Sequence, residues 1–375
     1  MSRASAEINL SAIATNLKFI KSQTNAQVLA VVKADAYGHG LLDVGHQAVT
    51  AGADWLGTAL LEEGIRLRKS GISTPILSWL TPLGEDFKTA IDLEIDLSIS
   101  SVELLHEIVL AGKAIKKTPR VHIELDTGMS RGGVGDEWLN FLPVLTQSVI
   151  AKEINLIGVW SHFARADEPS EKMNQDQLLE FDKRVEDLKK NGINFEYCHI
   201  ANSAASLKNS DSHKNIIRWG IGLYGLSPDV NNLGSSKDLG LMPAMKLKAK
   251  LHLVKSVKKG VGVGYGSTAV TKSDTKLGVV AMGYADGIPR VALNAGVFVN
   301  NRRAPIIGRV SMDQFVVDLG PDTSAKSGDW VIIFGDGFRG EYTADDWGAA
   351  SSSINYEIVT RIGPRVPRIY APHVY

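Results

Sequence analysis

From residue 28 to residue 223 the chain repeats one pattern, a short apolar run followed by a longer stretch in which apolar residues return at three- and four-residue spacing with charges between them. The runs at 28–32, 55–60, 76–80, 96–99, 121–125, 156–160, 195–200 and 216–223 read as strands. The intervening segments, such as 10–21, 41–51 and 175–190, read as helices, and Asn191-Gly192 closes the last of these with a C-cap signal. Strands that alternate with helices build parallel sheets from βαβ units. Eight such units suit a closed (β/α)8 barrel of the TIM type, with a doubly wound open sheet as the alternative.

After residue 226 the texture changes. The polar stretch SPDVNNLGSSKD reads as a linker, placed at 227–239. Beyond it MKLKAKLHLVKSV alternates apolar and polar residues with period two, 277–282 and 315–319 are apolar runs, and 331–334 is β-rich. Asn300-Asn301 between 297–299 and 304–307 reads as a hairpin turn. The predicted organisation is therefore α/β: a barrel over 8–226, then a mainly antiparallel β domain made of 1–7 and 240–375. A length of 375 residues accommodates both, and no internal repeat is visible.

Composition narrows the partners. Lys+Arg 41 against Asp+Glu 41 gives a formal net charge of zero, which supplies no electrostatic footprint for nucleic acid and favours a small neutral or zwitterionic ligand. The single cysteine, Cys198, forms no intramolecular disulfide and fits a reducing compartment. The start, MSRASAEINL, is too polar for a signal peptide, and no apolar run reaches the roughly 18 residues of a membrane span, so a cytoplasmic location is expected.

Barrels place their chemistry just past the carboxyl ends of strands. Polar residues fall there: Lys33, Asp126 with Arg131, His162, His199 with Asn202 and Ser203, and Arg218. A lysine directly after a buried strand, in VLAVVKADAYGHG, is either a snorkelling side chain or a Schiff-base lysine whose amine loses its proton readily when desolvated. Tyr265 lies in GVGVGYGS, whose glycines do not form GxGxxG and so do not indicate a dinucleotide. His199 beside Cys198 makes no thiol dyad, because neighbours on a strand face opposite sides, and Cys198 reads as a core residue. The dispersed histidines lack metal-ligand spacing, and no zinc site is expected.

In order along the chain, VVKADAYGHG, HIELDTGMSRGGV, SHFARADE, HIANSAA, RWGIGLYG, GVGYGSTAV, GYADGIPR, GRVSMDQ and NYEIVTRIG resemble the alanine racemases, pyridoxal-phosphate enzymes of fold type III. The resemblance runs from AEINLSAIATNL to RVPRIY. It implies a barrel followed by a β domain, pyridoxal 5'-phosphate as cofactor, and a homodimer with active sites shared between subunits. Lys33 would hold the cofactor and act as one acid/base group, and Tyr265 of the partner chain would be the other. Two groups are needed because racemisation takes the α-proton from one face and returns one to the other. His162 and Arg218 match the positions behind that tyrosine, and Arg218 would face the pyridine nitrogen. A guanidinium keeps its proton, so the cofactor becomes a weaker electron sink, and rapid reprotonation favours racemisation over transamination.

The resemblance also assigns the phosphate to Asn202, Ser203, the Gly220-Ile221 backbone and Tyr356, and places Tyr37 beside the cofactor. Arg131 and the Met312 backbone would bind the substrate carboxylate, with Asp313 adjacent. Tyr284, Arg290, Arg309 and Ile354 would line a narrow channel. One position departs from the family pattern. Where many members carry a lysine, often carbamylated, this chain has Glu124, and it is expected to supply the anion that orients Arg131. The predicted activity is interconversion of L- and D-alanine for peptidoglycan. The rivals are a serine or other amino-acid racemase, a barrel decarboxylase, and a non-catalytic pyridoxal-phosphate carrier, which would need neither the β domain nor Tyr265.

Overall fold

A computed structural model describes residues 2–292 and 294–371. Residues 1, 293 and 372–375, which the expected β domain includes, lie outside the described residues. The chain forms two compact units, one of Ile13–Ala36 with Leu41–Leu241 and the other of Met1–Ala12, Tyr37–Gly40 and Met242–Tyr375. The first strand, β1 (Ala4–Asn9), belongs to the second of these.

The first unit is the barrel. Strands β2 (Gln27–Val31), β3 (Trp55–Leu60), β4 (Ile76–Leu80), β5 (Asp96–Ile99), β6 (Arg120–Glu124), β7 (Asn155–Trp160), β8 (Tyr197–His199) and β9 (Ile216–Trp219) form one parallel eight-stranded sheet in the order β8-β7-β6-β5-β4-β3-β2-β9. The two ends approach closure through Asn215 N–H to Cys198 O at 3.2 Å and Arg218 N–H to Ala201 O at 3.0 Å. Runs such as Val28–Val31 are buried throughout, as expected of strands covered on one side by helices and filled on the other by barrel side chains. The surrounding helices start where the sequence offers acceptors; Ser101 accepts from Leu104 N–H at the head of Val102–Ile115.

Two strands are shorter than their apolar runs. The run at 195–200 yields only Tyr197–His199. The run at 216–223 stops at Trp219, and Ile221–Tyr224 is a 3-10 turn. Gly222 explains the stop: a Cβ there would lie 2.2 Å from the Trp219 indole, so the chain folds back onto that ring and leaves the sheet. Tyr224 then anchors the turn by donating to Val31 O at 2.8 Å. The polar stretch after it is knitted together, with Ser227 Oγ donating to Gly234 O and Ser227 N–H bonding Ser236 Oγ.

The second unit is mainly antiparallel. Its long strand β10 (Met245–Val257) pairs with β1. It is followed by β11 (Gly262–Val263), β12 (Ala269–Val270), β13 (Thr275–Val280), β14 (Gly296–Val299), β15 (Arg302–Pro305), β16 (Phe315–Asp318), β17 (Trp330–Phe334) and β18 (Arg368–Ala371). The main sheet runs β15-β14-β17-β10-β1-β18, with β13 paired to β10 and β16 paired to β13, and β1 and β18 are its parallel pair. The Asn300-Asn301 turn appears as expected, both residues in the left-handed region at φ 52 and 58. Asp286, fully buried, accepts from Arg3 and from Gly283 N–H and also pairs with Arg365, tying the amino-terminal strand to this unit.

Gly57 sits where β3 faces the barrel interior, and a Cβ there would meet Leu29 Cδ2 at 2.3 Å and the Trp79 ring at 2.6 Å. Gly57→Ala is therefore expected to overpack the barrel and cost about 1–3 kcal/mol in urea unfolding; a midpoint unchanged from the native chain would show that the interior has slack here.

Candidate active site

Lys33 follows β2 directly and opens an unusual turn. Ala34, Asp35, Ala36 and Tyr37 all have positive φ, from 51 to 54, so four successive non-glycine residues adopt the left-handed conformation. Each such residue costs roughly 1–2 kcal/mol, which neighbouring contacts must offset. Glu63 supplies one of them: one carboxylate oxygen accepts from Asp35 N–H at 3.3 Å, while the other accepts from Ala59 and Leu60 N–H at the head of its own helix. Asp35 in turn accepts from Leu41 N–H at 2.9 Å, and Ala36 N–H bonds Val32 O. Sequence reading missed Glu63; its signal was a glutamate at the third position of a helix that follows a strand. The Lys33 amine is lowered from its ordinary value chiefly by burial, then by Arg131, with Glu63 opposing and Arg218 adding.

Arg218 on β9 is the centre of the barrel cluster, only 4% exposed. Nη1 donates to His199 Nδ1 and His199 O, both at 3.1 Å. Nη2 donates to Ser161 O at 2.8 Å, His162 Nδ1 at 3.0 Å and Ile200 O at 3.1 Å. The guanidinium stacks over Trp160, 5.0 Å from the ring centre. Among the described residues its Nε–H has no acceptor, so one donor remains for a ligand. Burial pushes Arg218 down to about 9, with Glu124 opposing and Arg131 adding, and it stays cationic at neutral pH. His162 is held well below its ordinary value by burial first, then by Arg218, Arg131 and Lys33. Since its Nδ1 accepts from Arg218, the neutral ring carries its proton on Nε2.

Glu124 and Arg131 line one narrow pocket with Asp126, Ser161 and His162. The loop between them folds back because Asp126 Oδ1 accepts from Gly128, Met129 and Ser130 N–H, and Val134 N–H returns to Glu124 O. The expected ion pair does not form: no salt bridge joins Glu124 to Arg131 among the described residues. The carboxylate instead lies against Gly132, whose Cβ would meet its oxygens at 3.1 and 3.3 Å. Burial pushes the Glu124 carboxyl up to about 7, Arg131 and Arg218 pulling it down and Asp126 adding to the rise. A shorter, half-protonated side chain is thus no fixed counterion for Arg131.

Asn202 caps the helix Ser203–Lys208, accepting from Ala205 N–H at 3.0 Å. Ser203 Oγ accepts from Gly220 N–H at 2.9 Å, which brings Asn202, Ser203, Gly220 and Ile221 into one cradle at the ends of β8 and β9. Cys198 is half-buried rather than in the core, and burial pushes its thiol up to about 11.

The remaining candidates lie in the β unit. The Tyr37 and Tyr356 rings are 6.2 Å apart, and burial pushes the Tyr37 phenol up. Tyr265 stands 70% exposed on the turn between β11 and β12, flanked by Gly264 and Gly266 at φ 73 and 71. Gly264 packs on the Arg309 backbone. Met312 and Tyr284 are neighbours, both exposed, through Ala285 N–H to Met312 O and Tyr284 N–H to Ser311 O. Asp313 pairs with Arg365 at 2.6 Å. Arg290 and Ile354 are also exposed.

A parallel eight-stranded barrel with a desolvated lysine and a buried arginine at its strand ends, followed by a mainly antiparallel β domain, is the architecture expected of the family that the sequence resembles. Family models for the alanine racemase N-terminal domain and C-terminal domain match residues 8–228 and 244–370. The chain belongs to the alanine racemase family. It is 45% identical over 370 residues to an alanine racemase of Thermobifida fusca, covering 98% of each chain. To an alanine racemase of Mycobacterium tuberculosis it is 40% identical over 371 residues, covering 98% of this chain and 96% of that one. The solved alanine racemase of Streptomyces lavendulae superposes with a TM-score of 0.97 at 43% identity, over 100% of this chain and 98% of that one.

Because burial raises the Glu124 carboxyl, the folded chain holds a proton between pH 4.5 and about 7 that the unfolded chain releases, and stability falls as pH rises through that window. Glu124→Gln is expected to remove this loss, gaining about 2–3 kcal/mol over the native chain between the two ends of the window. Urea midpoints of both proteins across pH measure it; parallel profiles would refute a buried, proton-holding Glu124.

Proposed function

We propose that this chain interconverts L- and D-alanine with pyridoxal 5'-phosphate, at sites completed by a second copy of the chain. The observation that carries the reading is Arg218, with both Nη atoms engaged and its Nε–H left to a ligand, in the same cluster as a lysine amine whose proton affinity is lowered.

The residues fit the cofactor. Lys33 offers an amine that burial and Arg131 make available as the free base. Ser203, Asn202 and the Gly220-Ile221 backbone offer a small-residue cradle at strand ends, suited to phosphate, with Tyr356 and Tyr37 as the family's further contacts. Arg218 offers a cationic N–H to a pyridine nitrogen and keeps its proton. Bound there, pyridoxal phosphate supplies an electron sink that makes the substrate α-proton removable. Everything else is done by the chain. Arg131 and the Met312 N–H bind the substrate carboxylate, and Lys33 holds or gives up a proton at Nζ on one face. On the other face the proton belongs to the Tyr265 hydroxyl of the second copy. Its 70% exposure on a glycine-flanked turn suits a group that works outside its own chain. The neutral His162, with its proton on Nε2, can donate to that oxygen and steady the phenolate.

Lys33→Ala is expected to abolish covalent fixation of the cofactor by borohydride, and a band that survives would remove Lys33 as the anchor. Mixing Lys33→Ala with Tyr265→Phe chains should restore part of the activity through heterodimers with one intact site; no recovery after verified subunit exchange would sink the shared site. Alanine should exchange its α-proton with deuterated water at least tenfold faster than serine, and a panel of L- and D-amino acids reads substrate choice directly, a methyl-sized difference being worth about 10–200-fold.

A further inference from the structure

Behind Arg218 a chain of buried polar side chains runs down the barrel, and the site described above does not use it. His199 Nε2 lies 3.0 Å from His122 Nδ1, and His122 Nε2 lies 3.2 Å from Asp96 Oδ2. Arg120, partly exposed, closes the far end on Asp96 at 2.6 and 3.1 Å. Asp96 opens β5 and Arg120 opens β6, so the chain begins at the amino-terminal end of the barrel and reaches Arg218 at the other. Asp96 is 1% exposed, and His122 and His199 are fully buried. Barrel interiors are ordinarily filled with branched apolar side chains, and a polar column costs several kcal/mol unless every member is satisfied.

The fold makes room for it. A Cβ on Gly158 would fall 2.6 Å from His122 Nδ1, so β7 carries glycine beside the imidazole. Trp160 lies parallel to His199, at 2°, and Trp55 meets His122 edge-on at 5.6 Å, so indoles clad both rings.

Proton positions follow by elimination. Arginine donates and never accepts, so His199 Nδ1 is bare and its proton sits on Nε2. That N–H must find an acceptor, so His122 Nδ1 is bare as well and its Nε2–H points to the Asp96 carboxylate. All bonds run one way, from Arg218 to Asp96, with both rings neutral. The depression of His199, chiefly by burial with Arg218 adding, agrees with a neutral ring there. Carboxylates behind metal-bound histidines act alike, fixing the tautomer and raising the basicity of the far nitrogen.

We propose that Asp96, His122 and His199 are positioning residues for the reaction, a one-directional hydrogen-bond relay by which a carboxylate at one end of the barrel orients the Arg218 guanidinium at the other. The inference rests on the reading of Arg218 given under Proposed function.

Nitrogen-15 labelling of histidine in the cofactor-loaded enzyme tests it without turnover. His122 and His199, assigned by loss of signal in His122→Gln and His199→Gln, should each carry a proton on Nε2 and a bare Nδ1. A proton on Nδ1 of either ring, or a doubly protonated ring, overturns the relay. Asp96→Asn should shift the bare Nδ1 signal of His199 and lower kcat by about tenfold or more, with KM for alanine changed much less, the scale seen for outer partners of ligating histidines. A kcat within about twofold of native overturns the positioning role even with the tautomers as stated. If Asp96→Asn yields no folded protein, His122→Gln replaces it with the same two outcomes. Failure of the native enzyme to racemise any amino acid would instead overturn the proposed function, and is distinguished because proton positions are read independently of activity.

Discussion

A guanidinium buried inside a barrel sets the terms for everything around it. Removing such an ion from water costs several kcal/mol even after relaxation, and the cost is bearable only if its N–H groups find acceptors. For Arg218 these are the carbonyls of Ser161, His199 and Ile200 and the imidazoles of His162 and His199. Ser161 and Ile200 lie just beyond the ends of β7 and β8, where carbonyls leave the strand ladder and can turn inward. The early end of β8 is therefore part of how Arg218 is held, and the Trp160 face completes the enclosure.

That cation then acts on its neighbours. Burial chiefly lowers the Lys33 amine and keeps His162 neutral, and Arg218 and Arg131 add to both shifts. Glu63 stabilises the charged form of Lys33, yet its hydrogen bonds come from backbone N–H groups, one of them Asp35 in the left-handed turn after the lysine and the others Ala59 and Leu60 at the head of its own helix. One acidic side chain thus trades a little of the amine's reactivity for its placement. Strain of this kind persists only where surrounding contacts over-determine the backbone, as Glu63 and Asp35 do here.

Much of this was legible in the sequence, and what was not has identifiable reasons. All eight barrel strands announced themselves as apolar runs, because strands covered on both faces cannot afford alternation. Lys33 and His162 stood out as polar residues just past the ends of those runs, and Arg218 as a charge inside one. The end of β9 was misplaced because the apolar residues of IGLY continue past the sheet, and only the contact of Gly222 with Trp219 reveals the turn. Asp96 and His122 escaped notice for the opposite reason. They sit at the start and in the middle of strands, where polarity reads as noise, and their meaning depends on β5, β6 and β8 being brought side by side. The left-handed turn has no glycine to mark it until Gly38, and the rise of the Glu124 carboxyl to about 7 depends on burial that its place in the sequence does not announce.

The choice of acceptors for Arg218 has a consequence of its own. A carboxylate placed directly against the guanidinium would stabilise it more, but it would also neutralise the charge presented to a ligand and compete for its donors. Neutral imidazoles accept a proton in a hydrogen bond without supplying a countercharge at contact distance. The anion at the end of this chain, Asp96, stands two rings away and is itself paired with Arg120. Arg218 stays cationic at neutral pH, with Glu124 opposing the fall that burial imposes, and among the described residues its Nε–H is the one donor without an acceptor. Under the proposed function, an arginine so held would polarise the cofactor's ring nitrogen without giving up its proton, and such limited electron withdrawal favours returning the α-proton quickly over moving it elsewhere.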